Sequence, residues 1–314
     1  MQASLTPMVW MFSGQGTQYY HMGKVLFDCN PTFRNTILQG EKIIQQYCGF
    51  SLIEHLYNDN RDSEELLNDT TISHPSIVLV EVALARMLFA EGFRPHFVLG
   101  VHIGEISTAI ISNTIPFVSG LLFAAEQAKT SKFITDNKKL FEEYNKNNQV
   151  IPLDNKIVTE SLEKKDNISS LIQNLVELYN ILKSQSLTCH ILPISHEKDI
   201  SFSKSSEDML VFENGDSQQD QIIEKISQLT PNYKNVSPEV FWDMLRRPLN
   251  LIKAIEFFEK IGPWTYIDCG PTEILSNYVK YSLNNESESQ FFPILSPNGN
   301  VISNFEKIKK YITK

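Results

Sequence analysis

Glycine is missing from the middle of this 314-residue chain. Thirteen glycines occur in all, and none lies between Gly120 and Gly215. Tight turns there must use Asn or Asp, or be absent. The same stretch is rich in Asn, Lys, Glu and Ser, as in Asn145-Lys146-Asn147-Asn148 and Glu163-Lys164-Lys165-Asp166-Asn167. A composition shift of this kind predicts a separate, more polar subdomain. Cysteine is scarce and scattered: Cys29, Cys48, Cys189 and Cys269 form no CxxC pair. That excludes the usual zinc and thioredoxin-type sites and points to reduced thiols in a cytoplasmic protein. No apolar run approaches the about 20 residues needed to span a bilayer. The first seven residues show neither a basic n-region nor an apolar h-region, so neither secretion nor membrane attachment is expected. Basic residues are outnumbered, 28 against 37 acidic ones, for a net charge of -9. An acidic chain is poorly suited to nucleic acid, whose binding depends on Lys and Arg. A local basic patch for an acidic protein partner remains compatible with that balance.

What is present is ordinary globular material, 42% apolar and 21% charged. Length suits one large domain with an insert. Val9-Trp10-Met11-Phe12 reads as a buried strand that ends at Ser13-Gly14-Gln15-Gly16. Ile77, Val80, Leu84, Met87 and Leu88 have helical spacing, with Pro75 expected near the first turn and Gly92 past the end. Phe97-Val98-Leu99-Gly100 reads as a second strand, with helix resuming after Gly104. In the polar insert, Ile168, Leu171, Ile172, Leu175, Leu178, Tyr179 and Leu182 share one helical face. Cys189 to Ile194 reads as a strand and Phe241 to Lys260 as a helix. Trp264 to Asp268 reads as a strand and Thr272 to about Tyr281 as a helix. The alternation predicts an α/β fold with a mostly parallel sheet. Functional loops are expected at the carboxyl ends of its strands.

Gly100-Val101-His102-Ile103-Gly104 follows a predicted strand and opens a predicted helix. This is the setting of a Gly-x-Ser-x-Gly nucleophile elbow, whose glycines let the chain turn sharply beneath a projecting central side chain. Here that central residue is His102.

Several segments, in order, resemble the acyltransferase domains that load acyl groups onto acyl carrier proteins. The chain is especially similar to the free-standing homologues of bacterial trans-acyltransferase polyketide pathways, some of which are acyl hydrolases. The matching segments are Met11 to Gly23, Pro31-Thr32-Phe33-Arg34, Ser73-His74-Pro75-Ser76-Ile77, Phe241-Trp242 with Arg247-Pro248, and Ile267-Asp268-Cys269-Gly270-Pro271. The resemblance implies an α/β-hydrolase-like large subdomain with a parallel sheet over residues 1–128 and 200–314. It also implies a reduced ferredoxin-like small subdomain, a polar lid, inserted at 129–199. It implies acyl thioesters and an acyl carrier protein or polyketide synthase module as partners, with no cofactor and no metal.

The departures from the family pattern carry the interest. Val101 and His102 stand where the family has His-Ser or Ser-Ser, while Gly104 and Glu105 are kept. Gln127 falls where malonyl-loading members carry an arginine, and a neutral amide offers no fixed charge or bidentate fork. Asp199 falls at the family's catalytic histidine, with His196 three residues earlier. Three readings follow. In the first, His102 and Asp199 form a rebuilt base that acts on water, a thiol or a substrate proton. The backbone N–H groups of Gln15 and Ile103 then form the oxyanion hole, and Gln127, His21 and His196 line the substrate site. In the second, the chain is an inactive homologue that docks a carrier protein or synthase. In the third, His102 is an ordinary hydrogen-bonded histidine filling the serine's space. His74 reads as a helix-start residue, and the six-residue spacing of His190 and His196 matches no recognised metal-ligand pattern.

Overall fold

Met8 to Phe12 is apolar at every position, and a strand of that kind must be covered on both faces. The computed structural model describes residues 6–58, 60–62, 65, 67–113, 115–136, 190–192 and 251–312, and it places this strand at the centre of a sheet. The strands are β1 (Met8–Phe12), β2 (Phe97–Gly100), β3 (His190–Leu192), β4 (Thr265–Asp268) and β5 (Gln290–Pro293). Their spatial order is β3-β2-β1-β4-β5, and every neighbouring pair is parallel. The predicted α/β class and parallel sheet are therefore both observed.

Alternation along β1 divides the core in two. Met8, Trp10 and Phe12 face one layer, with α2 (Pro31–Cys48) and α4 (Thr70–Ala90) contributing Ile37, Ile44, Val80 and Leu84. Val9 and Met11 face the other, with Phe97, Leu99, Trp264 and Tyr266. There α7 (Leu251–Ile261) and α8 (Ile274–Ser282) supply Leu251, Ile255, Phe258, Leu275 and Val279. Short α1 (Lys24–Cys29) and α3 (Leu52–Leu56) flank α2, and α9 (Val301–Ile312) closes the described chain.

Two corrections concern α4. Pro75 was expected near its first turn, yet it is the sixth residue, inside the helix. The start is set by Asp69, whose carboxylate accepts the Thr71 N–H at 2.9 Å, a stronger local signal than the proline. His74 is accordingly no helix-start residue but lies buried in the second turn. α4 is long and apolar enough to cross a membrane, and it is instead the buried helix of this core. The helix expected over 241–260 is described only as Leu251–Ile261. The insert's apolar helical face lies outside the described residues, and of residues 129–199 only the end of α6 (Phe117–Asp136) and β3 are described.

After β1 the chain continues to β2 on one side, and after β3 it returns to β4 on the other. The carboxyl end of β1 thus lies at the switch point where α/β sheets bind ligands.

Candidate functional site

Three strand ends meet there. Beyond β2, the Val101 N–H still donates to the Phe12 carbonyl at 2.9 Å. The chain then turns, and α5 (Gly104–Ile111) begins at once. His102 sits in the turn with φ +51°, a left-handed conformation that costs a non-glycine residue about 1–3 kcal/mol. The surroundings impose it. A Cβ on Gly100 would lie 2.6 Å from the Glu105 nitrogen and Cα, and one on Gly104 would strike the Phe12 carbonyl oxygen and lie 2.5 Å from that of Ser13. The elbow frame read from the glycine spacing is therefore present, with a half-buried histidine at its tip.

The loop after β1 presses against that tip. A Cβ on Gly14 would lie 2.7 Å from the Val101 carbonyl oxygen and 3.0 Å from His102 Cβ. Gly16 turns the loop with φ +104°, and its N–H donates to Gln18 Oε1 at 2.7 Å. Gln15 is exposed between these glycines. Among the described residues, the backbone N–H groups of Gln15 and Ile103 have no acceptor. Ile103 stands at the N-terminus of α5, where the helix dipole favours negative charge.

Beneath the two loops lie acids that the sequence reading passed over. Glu81 is fully buried, the single acid of α4. Its Oε1 accepts the Ser13 N–H at 2.7 Å and the Ser13 hydroxyl at 3.0 Å, while Oε2 accepts the Ser107 hydroxyl at 2.6 Å. Burial pushes its pKa well above the ordinary carboxylate value, against the pull of those donors. Asp268, at the end of β4, accepts the Gly270 N–H at 3.0 Å and the Ser276 N–H at 2.8 Å. Burial lifts it to about 7. A lone acid inside an apolar helix was the signal that could have marked Glu81.

The other expected site residues divide. Gln127 on α6 bonds His74 Nδ1 through Oε1 at 2.5 Å and donates from Nε2 to Ser131 Oγ at 3.2 Å. Among the described residues, His74 Nε2 is buried without a partner. His21, with φ +66°, places Nε2 2.8 Å from the Arg61 carbonyl oxygen. Asp199 and His196 lie outside the described residues. Among the described residues, no group of three His, Cys, Asp or Glu side chains could hold a metal.

Burial depresses the His74 pKa below 6.5. The stability gained by keeping it neutral is complete above pH 6.5 and is lost as the pH falls toward its depressed folded value. Urea titrations from pH 7.5 to 5 should show this loss in the native protein and a shallower one in His74→Gln.

Comparison with known proteins bears on the family and the fold. The acyl transferase domain family matches residues 9–158. The polyketide biosynthesis acyltransferase homologue PksD of Bacillus subtilis (strain 168) is 28% identical over 314 residues, 98% of this chain and 97% of that protein. Its counterpart BaeD of Bacillus velezensis is 26% identical over 302 residues, 93% and 92% of the two chains. Among solved structures, the acyl transferase domain of ZmaA superposes with a TM-score of 0.62 at 18% identity, covering 100% of this chain and 76% of that one. The MCAT of Streptococcus pneumoniae gives 0.57 at 18% identity, covering 96% and 99%.

Proposed function

From the premise that the chain carries an acyl transferase domain and is homologous to the free-standing polyketide acyltransferase homologues, we propose that it releases or transfers acyl groups held as thioesters on an acyl carrier protein or synthase module. The observation that carries this reading is His102 at the tip of an intact elbow, with φ +51° and Gly14 packed against its Cβ. A histidine held in that strained position is costly to keep for packing alone. The inserted lid over 129–199 and the hydrolase-like character of the larger unit belong to the same proposal.

In the proposed reaction His102 is a general base, with Asp199 assigned as the carboxylate that orients it. Its imidazole takes a proton from water as the water oxygen adds to the thioester carbonyl. The oxyanion is held by the N–H groups of Gln15 and Ile103. Collapse breaks the carbon–sulfur bond, and the proton on His102 passes to the departing thiolate. The products are a carboxylic acid and the free carrier thiol; a second thiol in place of water would complete a transfer. Gln127, His21 and His196 are assigned to the acyl site. Because Gln127 is neutral and already engaged by His74, monocarboxylic acyl groups are favoured over malonyl.

The test is thioester release from carrier-bound or N-acetylcysteamine acyl groups. His102→Ala is expected to lower the rate by about 10²–10⁴-fold, the usual weight of a general base. His102→Ser is expected to trap the acyl group as a stable ester, seen as a mass increase. Absent turnover, an unlabelled serine variant and retained carrier binding would establish the docking-module alternative instead.

A further inference from the structure

Glu81 is the least expected residue in the core. A leucine there would pack in the apolar helix α4 without burying a carboxyl group, a placement that is expensive unless every oxygen is engaged. The engagements are specific. One oxygen holds Ser13 twice, through N–H and hydroxyl, and the other holds the Ser107 hydroxyl. The Ser13 hydroxyl also lies 3.0 Å from that of Thr17, which donates to the Gly14 carbonyl at 2.8 Å. Ser13 is two residues before Gln15, and Ser107 is one helical turn beyond Ile103. A single carboxyl group therefore ties the loop after β1 to the helix that follows the elbow.

We propose that Glu81 is a positioning residue that fixes the Ser13–Thr17 loop against the elbow helix α5 and so sets the separation of the Gln15 and Ile103 backbone N–H groups. The catalytic meaning of this latch rests on the reading of those N–H groups as an oxyanion hole; its mechanical meaning does not. One rigid planar group reaches both segments, with Ser13 at one end and Ser107 at the other. Donors aimed at a developing oxyanion must be placed to within a fraction of an ångström. Loop and helix N-terminus, each free to shift separately, would not meet that demand.

Hydrogen exchange on the full chain, resolved by peptide, tests the latch without any need for turnover. In Glu81→Ala, exchange in peptides covering 13–17 and 102–107 should rise together, by about tenfold, the weight of a lost buried hydrogen bond. Peptides covering α8 and β5 should keep their protection. Glu81→Gln, which keeps an oxygen for Ser13 and an amide group for the rotatable Ser107 hydroxyl, should stay near the native rates. Ser107→Ala cuts one arm by a small change and should loosen 102–107 but not 13–17, which covers the case in which Glu81→Ala does not fold. If thioester release is detected, Glu81→Ala should lower kcat by about 10–100-fold with KM held, as expected for misplaced donors. Unchanged exchange at 102–107 in Ser107→Ala overturns the proposal. So does a uniform rise along the whole chain in Glu81→Ala, or a Glu81→Gln variant as loose as the alanine. Lack of turnover in the native protein would count against the thioester reading alone.

Discussion

Gly104→Ala should cost about 3 kcal/mol or more, because overpacking against backbone is relieved only by moving whole elements. The new methyl group would strike the Phe12 carbonyl oxygen and lie 2.5 Å from that of Ser13. Neither atom is the tip of a side chain that can rotate away. Phe12 belongs to β1, which is bonded to β2 on one side and β4 on the other, so displacing it disturbs the centre of the sheet. Relief would come only by lifting α5 from the sheet, which breaks the elbow and separates Ser107 from Glu81. Gly262→Ala supplies the contrast, since a Cβ there meets nothing within 4 Å. Its effect should stay within about 1 kcal/mol. Chemical denaturation of the two variants checks the expectation. Equal losses at both sites would mean that the close approach of α5 to β1 does not matter.

The same closeness explains what could be read in advance. β1 and β2 are short apolar runs that end at glycine-bearing turns, and buried parallel strands leave that mark because both faces are covered. The elbow was legible for a related reason. Gly100 and Gly104 are spaced four apart at a strand-to-helix junction because a Cβ at either would collide with backbone. The start of α4 was misread because proline is a conspicuous marker and the Asp69 cap is a quiet one. His74 was misjudged in consequence, and its bond to Gln127 joins residues 53 apart that no local pattern connects. Glu81 was missed for a deeper reason. Apolar periodicity identifies the helix and treats everything on it as packing, whereas the role of Glu81 is fixed by Ser13 and Ser107, 68 and 26 residues away. Asp199, the proposed partner of His102, lies in the glycine-free stretch where spacing gave little to work with.

Asp268→Asn should destabilise the protein by about 1–3 kcal/mol, the cost of stranding a buried donor. The carboxyl group meets one N–H at each oxygen, Gly270 at Oδ1 and Ser276 at Oδ2. An amide offers one oxygen, so its NH₂ must confront the other N–H. The packing leaves no room to turn away, because a Cβ on Gly270 would already lie 3.0 Å from Asp268 Oδ1 and 2.5 Å from the Ser13 hydroxyl oxygen. The deficit should also depend on pH. In the folded chain burial holds the carboxyl protonated up to about 7, whereas its ordinary value is 3.8. Between those values the unfolded chain gives up its proton first. Native stability then falls as the pH rises, by at most about 1.4 kcal/mol per unit from this group. Asparagine cannot titrate and loses that slope. The gap between native and variant protein should therefore be widest at about pH 4 and below, and narrow as the pH rises toward 7. Subtracting the two stability curves removes the opposing contribution of His74, which both proteins share. A gap that is constant or widens with pH would show that Asp268 is ionised in the folded chain, held so by the two backbone N–H groups and not overcome by its burial.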